Sequence, residues 1–291
     1  MKKIVSLLMA GIMVCSLGVT AFADEAKQSR AVIGANLDEA QVNSVYSMFG
    51  MRKGDTAQLT LTNQEERQYL EGYVEDALIG TRSISCVYVE LLEEGKGMDV
   101  ITNNITWCTP EMYISALATA GITDAKIVVA SPFEVSGTAA LAGVYKAYED
   151  MTGKKLDDIA KLVSTQELTI TGQLAAEIGS MDSTFIVNEL KLILDQTAKM
   201  SDEQIVEQIK LISQRYNVSL SDNQINQLLT LCRSMEKLNP DALKAQVEEI
   251  QSTLKKVSDA KTKVVGFVEK TVNVIVSVKS FIDKIADLFA K

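Results

Sequence analysis

Histidine is absent from all 291 residues of the sequence. Without an imidazole, the chain cannot form a Ser-His-Asp or Cys-His catalytic group, a histidine-ligated zinc or haem site, or a histidine pH switch. The sequence also contains no EF-hand loop, phosphate-binding P-loop or dinucleotide-binding glycine pattern. We therefore expect no catalytic residue, no metal and no cofactor, and a non-enzymatic protein is the favoured interpretation.

Long apolar runs are also scarce. The best candidate beyond the N-terminus, Val272–Val278, is seven residues long and contains two polar residues. A membrane span needs roughly 20 apolar residues. We therefore predict no transmembrane segment in the mature chain.

The N-terminus has the three parts of a secretory signal peptide: the basic start Met1–Lys3, the apolar run Ile4–Leu17, and Ala21-Phe22-Ala23. We predict that residues 1–23 are removed and that the protein is extracytoplasmic, either secreted or peripheral at the cell envelope. The alternative is a retained anchor helix, although the apolar run is short for a span.

Positive charge is in the minority. Removal of Lys2 and Lys3 with the signal peptide leaves 27 basic and 38 acidic side chains, a net charge of −11. Binding to nucleic acid, or to anionic lipid without help, requires a basic patch. We therefore expect no nucleic-acid partner. Another envelope or secreted protein, or a second copy of this chain, is the expected partner.

The character of the sequence changes near residue 155. Residues 24–155 mix β-rich runs, glycine turns and helical patterns, whereas residues 156–291 contain one proline, no convincing strand, and apolar residues at helical spacing. The fold class predicted is an α/β or α+β region with a small mixed sheet, followed by an all-α region. The strands and helices predicted in the first region are Ala31–Gly34, Asp38–Phe49, Ala57–Leu61, Gln64–Tyr73, Met112–Ala120, Ala125–Ala130 and Gly137–Asp150.

A glycine turn suggests a hairpin within the first region. The β-rich runs Ser83–Leu92 and Met98–Trp107 flank Gly95-Lys96-Gly97, which predicts two paired strands. In that register Cys86 faces a position close to Cys108, so a disulfide between them is a candidate. The alternative is two unrelated buried thiols. With Cys232 the mature chain holds three cysteines, too few for a Cys₄ zinc site.

One strand–turn–helix segment is the strongest candidate in the sequence for a ligand-binding or catalytic site. The run Ala125–Ala130 predicts a strand that ends at Ser131-Pro132, and Ser136 is expected to cap the helix that follows. A helix N-terminus can bind an anion through free N–H groups. The candidate ligand-binding residues are Ser131, Ser136, Gly137 and Thr138.

Two functions are open for this segment: a small anionic ligand binder, and a hydrolase in which Lys146 or an acid activates a hydroxyl. The alternative is that the hydroxyls merely cap the helix.

Three similar helix starts occur in the second region. Ser201 and Ser221 each precede an acid and a glutamine, and Asn239 precedes Pro240-Asp241, so each is predicted to cap a helix. Their spacings, 20 and then 18 residues, are consistent with an internal repeat. The same pattern is also what any array of helices requires.

The last 50 residues carry an apolar stripe with alternating steps of four and three. Twelve of its fourteen positions are apolar, and Lys261 and Thr271 are the exceptions. The positions of this C-terminal stripe are Leu243, Val247, Ile250, Leu254, Val257, Lys261, Val264, Val268, Thr271, Ile275, Val278, Ile282, Ile285 and Phe289. The pattern predicts a coiled-coil seam or a bundle face, as one long helix or as a helical hairpin broken at Ser258-Asp259 or Gly266. Packing on the preceding helices and self-association are both open.

Three strings of residues carry a family resemblance: IGANLDEAQ at 33–41, TPEMYISALATAG at 109–121, and SPFEVSGTAALAGVYKAYEDMTG at 131–153. With them, nearly all of the mature chain resembles the secreted YpuA-like proteins of Gram-positive bacteria. The resemblance implies an extracytoplasmic setting. It implies no activity, cofactor or catalytic residue.

Overall fold

The structure is a computed structural model that describes residues 28–259 except residues 73 and 75. The first 27 and last 32 residues of the chain lie outside it, and so do the predicted signal peptide and the last nine positions of the C-terminal stripe. The elements are β1 (Ser29–Gly34), α1 (Glu39–Met48), β2 (Ala57–Leu61), α2 (Asn63–Leu70), α3 (Asp76–Ile79), β3 (Cys86–Leu91), β4 (Met98–Ile105), α4 (Pro110–Thr119), β5 (Ala125–Val135), α5 (Ala139–Thr152), α6 (Asp158–Ile178), α7 (Ser180–Lys191), α8 (Leu194–Thr197), α9 (Asp202–Arg215), α10 (Asp222–Met235) and α11 (residues 240–259).

The five strands form one mixed sheet in the order β2-β1-β3-β5-β4. The neighbours β1 and β2 are parallel and are connected through α1, and β4 and β5 are parallel and are connected through α4. Strand β3 lies between these two units and is antiparallel to both β1 and β5. The prediction of a small mixed sheet in the first region is confirmed.

The predicted hairpin is wrong, because β5 lies between β3 and β4. Residues 127–131 of β5 are all buried, whereas β4 alternates between buried and exposed positions along its first half. A strand covered on both faces is stabilised at the centre of a sheet, and a half-exposed strand is tolerated at its edge. The glycine turn therefore connects two strands that are not neighbours.

Strand β5 also continues past Pro132 to Val135, whereas the sequence predicted an end at Ser131-Pro132. Beyond Ala130, which pairs with Cys86, the strand has lost β3 as a neighbour. Only β4 remains beside it there, through a register shift at Asn104. A proline without an N–H is tolerated where one side of a strand has no partner.

Both faces of the sheet carry a core. Alternate residues of β3 point to opposite faces: Val87 and Val89 pack with α4 and α5, while Cys86 and Tyr88 pack with α1. The sheet is thus enclosed between α1 on one side and α4 and α5 on the other. Edge strand β4 leaves Ile101 partly exposed on the α1 side.

The helical region follows the sheet, as predicted. All three predicted N-caps form: Ser201 and Ser221 make capping boxes, and Asn239 Oδ1 accepts from the N–H of Ala242 at 3.0 Å. The apolar core of this region is shared by α6, α7, α9 and α10, with Leu243 of α11. The structure contains a sheet-based region and then helices. The exact boundary at 155 and the suggested repeat stay predictions.

The two regions share buried side chains. Leu168 of α6, and Ile250 and Leu254 of α11, belong to the same core cluster as the sheet and α4. Gly172 of α6 packs so closely on Trp107 that a Cβ there would lie 2.3 Å from the indole ring. Among residues 28–259, no helix combines the length and the hydropathy that crossing a membrane requires.

Candidate functional site

The predicted ligand-binding segment leads into α5, but the helix begins later than expected. Its N-cap is Thr138 rather than Ser136, and the Thr138 side chain makes no capping hydrogen bond. The Ser136 and Thr138 hydroxyl oxygens lie 3.4 Å apart. Thr138 and Ser131 are buried, and Ser136 is half-buried. The structure thus brings Ser136 and Thr138 together and places most of the segment inside the protein.

Gly137 is held against the rest of the fold. Its φ of +91° suits glycine, and a Cβ there would lie 2.5 Å from the Ile105 side chain. Its carbonyl accepts from the Tyr113 hydroxyl at 2.5 Å, and the Ser136 carbonyl accepts from the N–H of Cys108 at 3.0 Å. These contacts hold the backbone at the helix start against β4 and α4.

The hydrogen bond of Ser131 joins it to a different part of the protein from the other three candidate residues. Its carbonyl accepts from Asn104 Nδ2 at 2.8 Å, and its buried hydroxyl has no hydrogen-bond partner in the described part of the chain. Lys146, the base considered for this segment, lies eight residues after Thr138 on α5. At about 1.5 Å of rise per residue, that is about 12 Å along the helix.

Lys146 instead belongs to a cleft of about 340 Å³ between α2 and α5. Its Nζ donates to the Thr60 carbonyl at 2.6 Å and to Glu65 Oε1 at 2.5 Å. The lining residues of this α2–α5 cleft are Leu61, Glu65, Gln68, Tyr69, Ala142, Lys146, Glu149 and Asp150.

Every acid of the α2–α5 cleft is already paired with a cation. Lys146 pairs with Glu65, Lys161 with Glu149 at 2.9 Å, and Arg30 with Asp150 at 2.6 Å. Burial raises the pKa of Glu65, but the hydrogen bonds from Lys146 and Thr62 outweigh burial and hold that pKa below its ordinary value. The three acids are thus balanced in charge by neighbouring cations, which favours a structural role over proton transfer.

A fully buried ion pair lies elsewhere, between α4, α6 and α7, and the sequence analysis did not predict it. Lys191 Nζ lies 2.7 Å from Glu167 Oε1, and both side chains are fully buried. Ser115 Oγ donates to Glu167 Oε1 at 2.6 Å and accepts from Lys191 Nζ at 3.0 Å. Thr119 donates to the other carboxylate oxygen. These four residues are termed the interhelix network below.

The interhelix network contains a serine beside a lysine, a pairing that can activate a nucleophile where substrate has access. Here Ser115 is 1% exposed and Lys191 is 0% exposed. Burial lowers the pKa of Lys191, and the Glu167 carboxylate opposes that effect. The network therefore connects three helices in the interior. The signal that could have found it is the polar pair Ser115 and Thr119, four residues apart in the run 112–120, whose other residues are apolar or aromatic.

A second buried acid connects α2 to the segment before β3. Glu66 accepts from the Ser83 hydroxyl, and its other oxygen accepts from Asn63 Nδ2 at 3.2 Å. Burial raises the pKa of Glu66 to about 7, although the hydrogen bond from Ser83 acts in the opposite direction. This carboxyl group consequently titrates near neutral pH inside the folded protein.

The three cysteines in the described part of the chain, Cys86, Cys108 and Cys232, are free, buried thiols. Burial raises the pKa of Cys86 and of Cys108 to about 12, and that of Cys232 to about 11. The hairpin that would bring Cys86 towards Cys108 does not form. Thiols of this kind are protonated and unreactive. In residues 28–259, no group of three or more potential ligands could hold a metal ion.

The beginning of the C-terminal stripe is anchored in the fold that residues 28–259 form, which is termed the body below. Leu243, Val247, Ile250 and Leu254 on α11 are each at most 1% exposed, and Val257 packs partly buried against the core of the sheet. The nine remaining stripe positions, from Lys261 to Phe289, lie outside the described residues. Packing on the preceding structure is therefore correct for the first five positions.

Comparisons with known proteins agree with the family resemblance. The family model described as "Protein of unknown function (DUF1002)" matches residues 33–257. The chain is 35% identical to "Uncharacterized protein YpuA" of Bacillus subtilis (strain 168) over 292 residues, which covers 99% of this chain and 96% of that protein. No solved structure matches the chain.

Proposed function

Since this chain belongs to the DUF1002 family of proteins of unknown function, we propose from its own residues that it is a secreted or envelope-associated, non-enzymatic interaction protein. Its binding element is the C-terminal stripe. The body carries this stripe and positions it for a partner. A second copy of the chain is the partner that the stripe itself favours, because an apolar seam with four-three spacing is self-complementary.

One observation carries this proposal: the C-terminal stripe begins inside the body and its sequence pattern continues beyond it. Its first four positions are buried in the fold, with Leu243 in the helical core and Ile250 and Leu254 in the core of the sheet. The sequence continues the same four-three spacing over residues 261–289. This stretch is longer than the part of the stripe on α11 that packs against the body. Apolar surface of that extent, if uncovered, favours association with another protein.

The polar groups of the body also favour binding over turnover. The serine beside a lysine is buried, the thiols are buried, and the acids of the α2–α5 cleft are paired with cations. An extracytoplasmic location is proposed from the N-terminal pattern of residues 1–23.

Sedimentation velocity of the mature chain tests the proposal. The full chain should form dimers or larger species, and a variant ending at Asp259 should be monomeric yet folded, because it retains the described part of α11. Val264→Glu with Ile275→Glu should abolish association, since both lie on the stripe. The matched control, Val265→Glu with Val274→Glu, changes neighbouring residues off the stripe and should preserve it. A full chain that stays monomeric at every concentration would refute self-association.

Cellular location and activity need a separate experiment. Fractionation of cells that express the natural chain should recover the processed protein outside the cytoplasmic membrane, and crosslinking on intact cells should capture it with a second copy. Recovery in the cytoplasm with the N-terminus intact would contradict the proposed location. Turnover of a cell-wall fragment by the pure protein would contradict the non-enzymatic role.

A further inference from the structure

The two edges of the sheet differ in how they are protected from further strands. The outer strands are β2 and β4. In β2, the Leu61 carbonyl accepts from the N–H of Ala35 beside it, so the preceding carbonyl, that of Thr60, points to the outer side. Lys146 Nζ donates to this outer carbonyl at 2.6 Å. A lysine on an edge strand discourages pairing with another chain, so the β2 edge is closed.

The β4 edge has no such protection. Within residues 28–259, no group outside β5 hydrogen-bonds to the backbone of Met98–Ile105. The six residues Met98–Asn103 pair with β5 in an unbroken register, and the register shift comes only after them. The outer N–H and C=O groups of these six residues therefore form a regular template for one more strand.

The side chains of this stretch also favour pairing. Ile101 lies in its middle and is 44% exposed. Asp99 is the single charged residue of β4, although charged side chains are a common defence of edge strands. The β4 edge is thus open and apolar at its centre.

Helix α11 leads the chain towards this edge. Its Gln246 amide nitrogen lies 3.6 Å from where a Cβ on Gly121 would be, in the loop before β5. Its Thr253 hydroxyl lies 2.9 Å from the equivalent point on Gly97, which directly precedes β4. The helix therefore runs from the β5 side to the β4 side of the sheet.

The end of the described part of α11 lies further in the same direction. The six residues from Thr253 to Asp259 extend the helix by about 9 Å, whereas neighbouring strands are about 4.8 Å apart. The 32 residues after Asp259 carry the rest of the C-terminal stripe. They leave the body beside the β4 edge.

We propose that β4 is the edge at which two copies of the chain join, with the two β4 strands antiparallel and centred on Ile101. The inference rests on the proposed function, because the stripe brings the second copy to this side of the body. In this register Ile101 lies opposite Ile101 of the second copy, and Asp99 lies opposite Asn103. A parallel pairing would place the two Asp99 carboxylates side by side, which is destabilising.

The joined sheet has ten strands, with β2 at both ends. Because Lys146 closes the β2 edge, the sheet does not grow beyond two copies. Six paired residues cover far less than the roughly 1,000 Å² that a stable interface needs. The β4 edge therefore adds to the association through the stripe and does not replace it.

Cysteine crosslinking of the full-length mature chain tests the pairing. Residues directly opposite each other in antiparallel strands have Cα atoms about 4.5–5.5 Å apart, which a disulfide can span. Ile101→Cys should therefore form covalent dimers under mild oxidation. The matched control is Ile159→Cys on α6, because Ile159 is 48% exposed and lies outside the sheet. This variant should stay uncrosslinked.

Two further measurements do not depend on an introduced thiol. In the unmodified chain, the amides of residues 98–103 should exchange several-fold more slowly in a concentrated sample than in a dilute one. In sedimentation velocity, Ile101→Lys should weaken association roughly tenfold, because it replaces an apolar cross-strand pair by two like charges. Ile159→Lys should leave association unchanged.

The edge pairing and the proposed function fail in different results. Association without crosslinking at position 101 and without protection of β4 would overturn the edge pairing and leave association through the stripe intact. Association that survives truncation at Asp259 and is lost in Ile101→Lys would support the edge and refute the stripe as the binding element. A chain that is monomeric at every concentration would refute both.

A different occupant of the edge would also be recognised. Protection of residues 98–103 at every dilution, lost on truncation at Asp259, would show that residues 260–291 of the same chain cover β4. That result would overturn the pairing with a second copy.

Discussion

Lys191 Nζ and Glu167 Oε1 lie 2.7 Å apart, with both side chains fully shielded from solvent. The pair links α7 to α6, and Ser115 on α4 bonds to both members. A buried charge is tolerated only when its partner and its hydrogen bonds are all present. The three helices are thereby held in one mutual arrangement.

Lys191→Met should lower the free energy of unfolding by about 3–5 kcal/mol, because it leaves Glu167 as an unpaired charge in the interior. Urea unfolding followed by circular dichroism measures the change. The double variant Glu167→Gln with Lys191→Met should recover much of the loss. Lys210→Met, which breaks an exposed pair with Glu207, should change stability by no more than about 1 kcal/mol. If Lys191→Met and Lys210→Met lower the free energy of unfolding equally, the buried pair contributes no more to stability than an exposed pair, and the prediction is wrong.

Glu66 should make stability fall as pH rises through neutrality. Its folded pKa is about 7 against an ordinary value of 4.5, so its stabilising contribution is complete below the unfolded value and is lost by the time pH exceeds the folded one. Glu66→Gln should therefore be more stable than wild type at pH 8, by on the order of 2–3 kcal/mol, and little changed near pH 4.

Denaturation curves at a series of pH values test the Glu66 prediction. The matched control is Glu65→Gln on the adjacent residue, whose pKa is lowered, so its removal should cost stability at neutral pH instead. A difference between Glu66→Gln and wild type that is constant from pH 4 to pH 8 would contradict the assigned titration.

Gly172→Ala should destabilise the protein, although alanine favours a helix more than glycine does. Alanine gains up to about 1 kcal/mol over glycine inside a helix, but the new Cβ would lie 2.3 Å from the Trp107 ring, and overpacking costs about 1–3 kcal/mol. Trp107 is the single tryptophan, so its fluorescence reports the displacement directly. Trp107→Leu should convert Gly172→Ala into a stabilising change. A stabilised single variant with an unshifted emission spectrum would contradict the packing.

The thiols at positions 86, 108 and 232 should be free and unreactive in the folded protein. Their raised pKa values, about 12, 12 and 11, keep them protonated at neutral pH. A thiol reagent should label three cysteines of the processed chain in denaturant and almost none without it. Mass spectrometry before and after reduction should give equal masses. A two-dalton difference, traced to peptides containing Cys86 and Cys108, would restore the disulfide.

Local signals in the sequence predicted local structure well. The capping residues Ser201, Ser221 and Asn239 mark helix starts correctly because a cap bonds only to its own first turn. The crossover through α4 was also predictable, since a strand, a helix and a strand in succession favour parallel neighbours. The hairpin failed because glycines at a turn fix a change of direction but do not determine which strand fills the adjacent position.

Long-range pairing was the part that could not be predicted. Ser115, Glu167 and Lys191 come from three separated segments, and no periodicity relates them. In sequence, Glu167 and Lys191 read as ordinary solvated charges on helices. The helix-start hypothesis at Ser136 rested on local pattern alone, whereas the contacts at Gly137 come from Ile105 and Tyr113, more than twenty residues earlier. The beginning of the C-terminal stripe was predictable as an apolar helix face, but the residues that cover this face were not predictable.

The position of β5 between β3 and β4 imposes an order on folding. Both neighbours precede β5 in the chain, and neither has a partner on that side until residues 125–135 join the sheet. Until then β4 has no hydrogen-bonded neighbour and β3 can pair only with β1, so the partly folded chain carries unpaired strand edges with apolar side chains. We expect the sheet to close late and in one step, and a chaperone that shields residues 86–105 to matter most during that interval.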